Sequence, residues 1–118
     1  MPNSIQHLDS NDFMSAVTVF NHVVYLSGQV PSNPEADIDA QTRNVFNTIE
    51  QLLAQVNSDK SHLLSAQLFL KDLADFSVVN ALWAEWLKDC PKPARATIQA
   101  ELVNPNWRIE IAVTATQL

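Results

Sequence analysis

Glycine is nearly absent from this sequence, in which Gly28 is the only glycine among 118 residues. An average protein contains roughly 7% glycine. Loops that bind phosphate groups need several glycines, because their backbone amides must converge on the ligand. The composition therefore argues against a dinucleotide-binding loop and against a P-loop.

Cysteine and long apolar runs are also scarce. Cys90 is the single cysteine, so it cannot form an internal disulfide, and a lone thiol is typical of a reducing compartment. The longest apolar run, Val23 to Leu26, is too short to span a membrane. Residues 1–10 lack the basic and apolar blocks of a secretory signal. We therefore expect a cytoplasmic protein that does not associate with membranes.

Basic side chains are outnumbered by acidic ones, with seven lysines and arginines against thirteen aspartates and glutamates, for a net charge of −6. Proteins that bind nucleic acids normally present a basic patch, whereas the basic residues here are scattered along the chain. We expect no nucleic-acid partner. An anionic substrate would have to be held by one or two local cations rather than by a broad positive field.

The hydrophobic content of 47% is enough to form a core without disulfides or a structural metal. The length predicts one domain, residues 1–118. Periodicity predicts strands at residues 13–20, 23–27, 63–70, 94–102 and 107–116, and helices at residues 38–56 and 75–88. The order ββαβαββ indicates an α/β (α+β) fold with two helices on one face of the sheet, which leaves the other face to solvent or a partner.

The best candidate for a functional residue is Arg95, in the penultimate predicted strand. If the last two strands form an antiparallel hairpin, Thr97 lies opposite Glu110 and Arg95 lies diagonal to Glu110, on the face away from the helices. The same register sets Gln99 opposite Arg108. Arginine suits the bidentate binding of a carboxylate, and a nearby glutamate can position or deprotonate water.

The pattern alone also allows an ordinary explanation for these residues. Polar side chains are common on the outer face of an antiparallel sheet, and an exposed Arg–Glu pair often has no function. Two details favour a function for Arg95. Alanines flank it, and the segment Pro-Lys-Pro precedes its strand. We expect no metal or other cofactor, since the three histidines (His7, His22 and His62) lack the spacing of metal ligands.

Five segments of the chain together resemble the reactive-intermediate deaminase family, also called the RidA or YjgF-type family. They are VVYLSGQVP (23–31), QTRNVFNTIEQLL (41–53), KDLADFSVVNALW (71–83), PARATIQA (93–100) and RIEIAVTA (108–115). The stretch WLKDCPKPARATIQAELVNPNWRIEI is most similar to the YoaB-like branch. The resemblance implies a chorismate-mutase-like domain with a mixed sheet, assembled as a homotrimer with ligand clefts between subunits.

The resemblance also implies an activity and a set of site residues. Family members hydrolyse 2-imino acids and their enamine tautomers to 2-oxo acids and ammonia, clearing intermediates made by pyridoxal-phosphate-dependent dehydratases. Arg95 matches the arginine that holds the substrate carboxylate, and Glu110 matches the acid proposed to orient water. Ser27 and Gly28 match residues that line the cleft, and Asn80 matches an asparagine of the second helix.

Two positions depart from the archetypal family pattern. Thr97 stands where archetypal members have cysteine, and Phe13 stands where they have a tyrosine at the cleft. Both are expected to contact the substrate, so the departures affect which imine is preferred. The carboxylate-binding arginine is unaffected.

Three other functions remain to be weighed for this fold. A non-catalytic trimer could use Arg95 to bind a 2-oxo or amino acid as a regulatory ligand. A chorismate mutase would need several converging cations for its dicarboxylate substrate, and this chain offers few. RNA cleavage is disfavoured by the acidic balance and by the lack of a histidine pair.

Overall fold

The computed structural model describes residues 4–118, and this part of the chain contains six strands and two α-helices. The strands are β1 (Gln6–Ser10), β2 (Ser15–Phe20), β3 (Val23–Leu26), β4 (Leu63–Leu70), β5 (Ala94–Gln99) and β6 (Ile109–Thr116). The helices are α1 (Ile38–Gln55) and α2 (Phe76–Trp86), and a 3₁₀ turn (Leu73–Asp75) precedes α2. No helix among the described residues is long and apolar enough to cross a membrane.

The predicted α+β class and element order are confirmed, with one additional strand at the start. Strand β1 pairs with β2 at the edge of the sheet. Its sequence, QHLDS, has only Leu8 as an apolar residue, and Leu8 is its only half-buried position. An edge strand with one apolar side chain has no alternating pattern, so periodicity could not predict it.

Local sequence explains the turn between β2 and β3 and the start of helix α1. The turn between β2 and β3 consists of Asn21 and His22, both with positive φ (53° and 67°), as a two-residue hairpin requires. Helix α1 begins where the Asp37 side chain accepts a hydrogen bond from the Ala40 amide at 2.9 Å, which satisfies a backbone donor that the helix leaves unpaired.

The predicted hairpin between the last two strands is wrong, because β4 lies between them. The sheet order is β1-β2-β3-β6-β4-β5. Strand β5 is parallel to β4, and β4 is antiparallel to β6. The connection from β4 through α2 to β5 is a crossover, which produces a parallel neighbour. Residues 100–108 then span the end of β4 instead of forming a tight turn.

The observed register reverses the predicted face of Arg95. Arg95 pairs with Ala66, which pairs with Val113, and Thr97 pairs with Leu68, which pairs with Ile111. Paired residues point to the same face of a sheet, and Ala66, Leu68, Ile111 and Val113 are all buried core residues. The side chains of Arg95 and Thr97 therefore lie on the face that the helices cover.

An aromatic cluster packs the two helices against each other. The rings of Phe46 and Trp86 stack with centroids 4.1 Å apart, and Trp83 meets both of them edge-on. The Trp86 indole donates a hydrogen bond to Glu50 at 3.0 Å. Phe76, at the start of α2, lies outside this cluster and remains 38% exposed.

The second face of the sheet is uncovered in the single chain, as predicted. It carries partly exposed side chains such as Phe20, Tyr25 and Ile98. A shallow cavity of about 550 Å³ lies on it, lined mostly by small and neutral polar residues such as Ser65, Gln67, Ala96 and Thr114, and Arg95 of the edge strand β5 also contributes to its lining. Glu110 pairs with Phe69 of β4 and alternates with buried residues of β6, so its side chain lies on this same open face.

Candidate functional site

The guanidinium group of Arg95 rests on two aromatic rings of α2. Its central carbon is 5.5 Å from the ring centroid of Trp83 and 5.9 Å from that of Phe76. Both distances lie within the range of cation–π interactions. No carboxylate pairs with Arg95 among residues 4–118. Its donor N–H groups are therefore available to bind an anion.

Asn80 and Thr97 lie beside Arg95. Asn80 is exposed on α2, four residues after Phe76 and three before Trp83, so it belongs to the same stripe of the helix. The Thr97 hydroxyl is buried and has no hydrogen-bond partner in the described chain. A buried polar atom left unpaired costs about 1–3 kcal/mol. Thr97 therefore offers a free hydroxyl group beside the unpaired guanidinium.

Glu110 and Gly28 form a second group. Strand β6 continues to pair beyond β3, since Gln29 and Ile111 exchange backbone hydrogen bonds of 2.8 and 3.0 Å. This pairing brings the Glu110 carboxylate over Gly28, where a Cβ atom would lie 2.0 Å from the Glu110 Oε2. Gly28 does not have a positive φ. The close approach of the carboxylate, rather than backbone conformation, is what requires glycine here.

Ser27 directly precedes Gly28, whereas Phe13 lies in a separate turn. The Ser27 amide donates to the Ala16 carbonyl at 3.0 Å, which continues the pairing of β2 with β3. Its hydroxyl also donates to that carbonyl at 3.4 Å. Phe13 lies in the turn between β1 and β2 and is 89% exposed. The Asn11 side chain fixes this turn by accepting a hydrogen bond from the Phe13 amide at 2.8 Å.

Burial raises the pKa of the Glu110 carboxyl group above the usual value for a glutamate. The shift arises because a half-buried carboxylate loses part of its hydration. No hydrogen bond to this carboxylate from within residues 4–118 offsets the loss. A glutamate with a raised pKa is a stronger base once it is ionised.

Five of the seven candidate residues thus form two groups, not one. Arg95, Thr97 and Asn80 lie on the helix-covered side, at the outer edge of β5, whereas Glu110 and Gly28 lie on the open face. The predicted contact between Arg95 and Glu110 within one chain is wrong. Its cause is the insertion of β4 between β5 and β6, which shifts the alternation of side chains.

One partly buried ion pair has no counterpart among the predicted contacts. Two of the three guanidinium nitrogens of Arg108, Nε and Nη2, donate to the Asp75 carboxylate, at 3.0 and 2.7 Å, and Asp75 is buried. The predicted position of Arg108 opposite Gln99 belongs to the wrong hairpin. The two partners are 33 residues apart, and no local pattern links them. The only signal in the sequence is an aspartate at the predicted start of α2.

The described residues contain no cluster of histidine, cysteine and acidic side chains that could hold a metal ion. The histidines with side-chain partners are separate, since His22 contacts Gln117 and His62 contacts Asp59. The Cys90 thiol accepts a hydrogen bond from Ser61 at 3.3 Å. None of these groups lies with Arg95 or Glu110.

Replacing Glu110 with glutamine should increase stability at neutral pH. Because the pKa of folded Glu110 is raised, wild-type stability falls as the pH rises from the usual glutamate pKa through the raised one. A glutamine side chain does not ionise, so the Glu110→Gln variant avoids this loss of stability. Denaturant unfolding should show a larger free energy of unfolding for the variant at pH 7 and no gain below about pH 4.

The matched control is Glu101→Gln, which removes one negative charge from an exposed position. If both variants show the same dependence on pH, the gain reflects net charge, and burial of Glu110 is not its cause.

Comparison with known proteins identifies the family to which this chain belongs. The family model described as endoribonuclease L-PSP matches residues 5–117. The RutC family protein YoaB of Escherichia coli is 37% identical over 112 residues, covering 95% of this chain and 97% of YoaB. The 3-aminoacrylate deaminase RutC of Acinetobacter baylyi is 34% identical over 104 residues, covering 83% of this chain and 82% of that protein.

The solved structures give the same result. The crystal structure of NMB1025, a YjgF family member from Neisseria meningitidis, superimposes with a TM-score of 0.94 at 35% identity, covering 100% of this chain and 98% of that one. The match thus extends over the sheet, the helices and the connections between them. By sequence and by fold, the chain belongs to the RidA/YjgF family.

Proposed function

We propose that this protein hydrolyses 2-imino acids and their enamine tautomers to 2-oxo acids and ammonia, in clefts between the subunits of a homotrimer. Deaminase activity occurs in the family, since one relative is a 3-aminoacrylate deaminase. Its substrate, by its name, carries an amino group on a double bond next to a carboxylate. The proposal extends that substrate class to this chain.

The observation that carries the proposal is the environment of Arg95, which has aromatic contacts but no carboxylate partner among the described residues. A cation held on Trp83 and Phe76, with no carboxylate partner among the described residues, is arranged to bind a carboxylate from outside. The acidic net charge of −6 makes such a local cation the natural anchor for a small anion. The same charge is unfavourable for an RNA substrate.

Glu110 supplies the base in this mechanism. Water adds to the carbon of the C=N bond, and Glu110 passes the two water protons in turn to the nitrogen. The tetrahedral intermediate then releases ammonia and leaves the carbonyl group. Imines already react with water, so placing the water correctly and stabilising charge are sufficient. Asn80, Thr97 and Ser27 are proposed to contact the substrate, and Phe13 to close the cleft.

The separation of the two groups supports a cleft between subunits. Arg95 and Glu110 lie on opposite faces of the sheet, so one substrate can contact both only if two subunits contribute. The open face needs a covering, because it presents partly exposed apolar side chains. A cyclic trimer would cover this face and place Arg95 of one subunit near Glu110 of the next. The lone thiol Cys90 supports a cytoplasmic location.

The activity should depend on Arg95. An amino-acid oxidase can generate the imine in place, and semicarbazide traps the fraction that remains. Wild-type protein should lower the trapped fraction, and Arg95→Ala should lower kcat/KM by about 10- to 100-fold, because a charged hydrogen-bonded contact is lost. Arg43→Ala is the control, since Arg43 is an exposed arginine already paired with Asp39.

Two outcomes would oppose the proposal. A wild-type rate equal to the uncatalysed rate, with 2-oxo acid binding that depends on Arg95, would favour a regulatory carboxylate-binding trimer. Equal rates for wild type and Arg95→Ala would remove the carboxylate-binding role of Arg95.

Mixing two inactive variants tests the cleft between subunits. Arg95→Ala and Glu110→Gln, refolded together, should regain activity, because some interfaces combine an intact Arg95 with an intact Glu110. At equal amounts, random assembly forms about one quarter of the clefts intact. If each site lies within one chain, mixing restores nothing, and a sedimentation measurement showing monomers would likewise exclude the shared cleft.

Gly28→Ala should impair catalysis without unfolding the protein. The added Cβ would collide with the Glu110 Oε2, which is the movable end of a side chain. The carboxylate must therefore shift, and a misplacement of about 1 Å can cost about 100-fold in rate. Steady-state kinetics should show a lower kcat with a nearly unchanged melting temperature. A variant with normal kcat would mean that the position of this carboxylate is not critical.

A further inference from the structure

The ion pair between Asp75 and Arg108 links the two groups of the proposed site. Asp75 directly precedes Phe76, which is the first residue of α2 and one of the rings under Arg95. Arg108 lies two residues before Glu110. The bidentate contact, at 2.7 and 3.0 Å, therefore joins the helix that supports one group to the strand that carries the other.

Arg108 is itself a fixed anchor. The buried side chain of Gln41 accepts a hydrogen bond from the Arg108 amide at 2.8 Å. The Lys71 amide donates to the Arg108 carbonyl at 3.2 Å. Gln41 also donates to the Asn106 carbonyl at 3.2 Å. Helix α1 and the end of β4 thus hold the backbone from which the Arg108 side chain reaches Asp75.

The two rings under Arg95 are held in different ways. Trp83 is buried and packs against Phe46 and Trp86 within the helix cluster. Phe76 is 38% exposed, so core packing restrains it less. The preceding residue, Asp75, makes no capping hydrogen bond to α2. Its carboxylate is used by Arg108, and this contact fixes the first turn of the helix where Phe76 lies.

We propose that Asp75 is a positioning residue for Arg95, acting through Phe76, with Arg108 as its anchor. This inference rests on the proposed carboxylate-binding role of Arg95. Neither Asp75 nor Arg108 contacts the substrate in this arrangement. Their pair sets where the guanidinium stands, and it therefore controls how tightly a substrate carboxylate is held.

The test compares Asp75→Asn with Asp72→Asn. Asp72 caps the same 3₁₀ turn by accepting a hydrogen bond from the Ala74 amide at 2.9 Å, but it does not contact Arg108. Asp75→Asn should raise the KM for the imine and the Kd for pyruvate by about tenfold, while kcat changes less than about threefold. Asp72→Asn should lower the melting temperature with KM and Kd unchanged.

Conservative and double variants separate positioning from general loosening. Asp75→Glu keeps the charge and should recover part of the affinity. Arg108→Lys should reproduce the weaker binding, and combining it with Asp75→Asn should add little, because both remove one contact. Additive effects, or equal effects of Asp72→Asn and Asp75→Asn on KM, would overturn the inference.

The binding measurement keeps this inference distinct from the proposed function. If wild-type protein binds pyruvate but does not hydrolyse the imine, the deaminase proposal fails, and weaker binding by Asp75→Asn still supports the positioning role. If wild type hydrolyses the imine and Asp75→Asn has an unchanged KM and Kd, only the positioning role fails. If wild type neither binds nor hydrolyses, both fail.

Discussion

Strand β4 is the element on which the rest of the structure depends, because it pairs with both β5 and β6. Its inward residues, including Leu68 and Leu70, are fully buried. An apolar strand of this kind gains most when strands flank it on both sides and helices cover it. Its position between β6 and β5 makes β5 an edge strand and determines which face each residue of β5 and β6 occupies.

The two faces have different chemical characters as a result. On the helix-covered side, the edge of β5 presents Arg95 to the aromatic residues of α2, where a cation is stabilised without being neutralised. On the open side, β6 holds Glu110 against Gly28, where partial burial destabilises its charge. The partial burial of Glu110 carries an energetic cost that folding alone does not require. Such costs are typical of functional sites, which tend to conflict with stability.

Family membership and the internal geometry lead to the same conclusion from different directions. The matches extend along almost the whole chain, and they include a deaminase of an enamine carboxylate. The geometry separately requires two subunits if Arg95 and Glu110 act on one molecule. The Asp75–Arg108 ion pair adds a link inside each chain, because it joins the helix that supports Arg95 to the strand that carries Glu110.

The amino-acid sequence by itself determined the class of fold, most boundaries of the strands and helices, and the choice of candidate functional residues. The fold class and the boundaries follow from hydrophobic periodicity and from proline and glycine positions, and Arg95 and Glu110 stood out from the alternation of their strands, all of which are local patterns. The other site residues came from the family resemblance. Gly28 was expected to line the cleft, although its contact with Glu110 was not predicted. Strand β1 escaped prediction because a polar edge strand buries too little to leave a pattern.

Tertiary structure alone decided how the strands are ordered, and with that order the face of Arg95, its distance from Glu110 and the partner of Arg108. The side chains of β5 alternate in the same way whether its neighbour is β4 or β6. An alternating sequence shows that the two faces of a strand differ, but it does not show which face is buried. Strand order depends on the summed burial of all six strands and on the hand of the crossover. Those are properties of the whole chain, and no segment contains them.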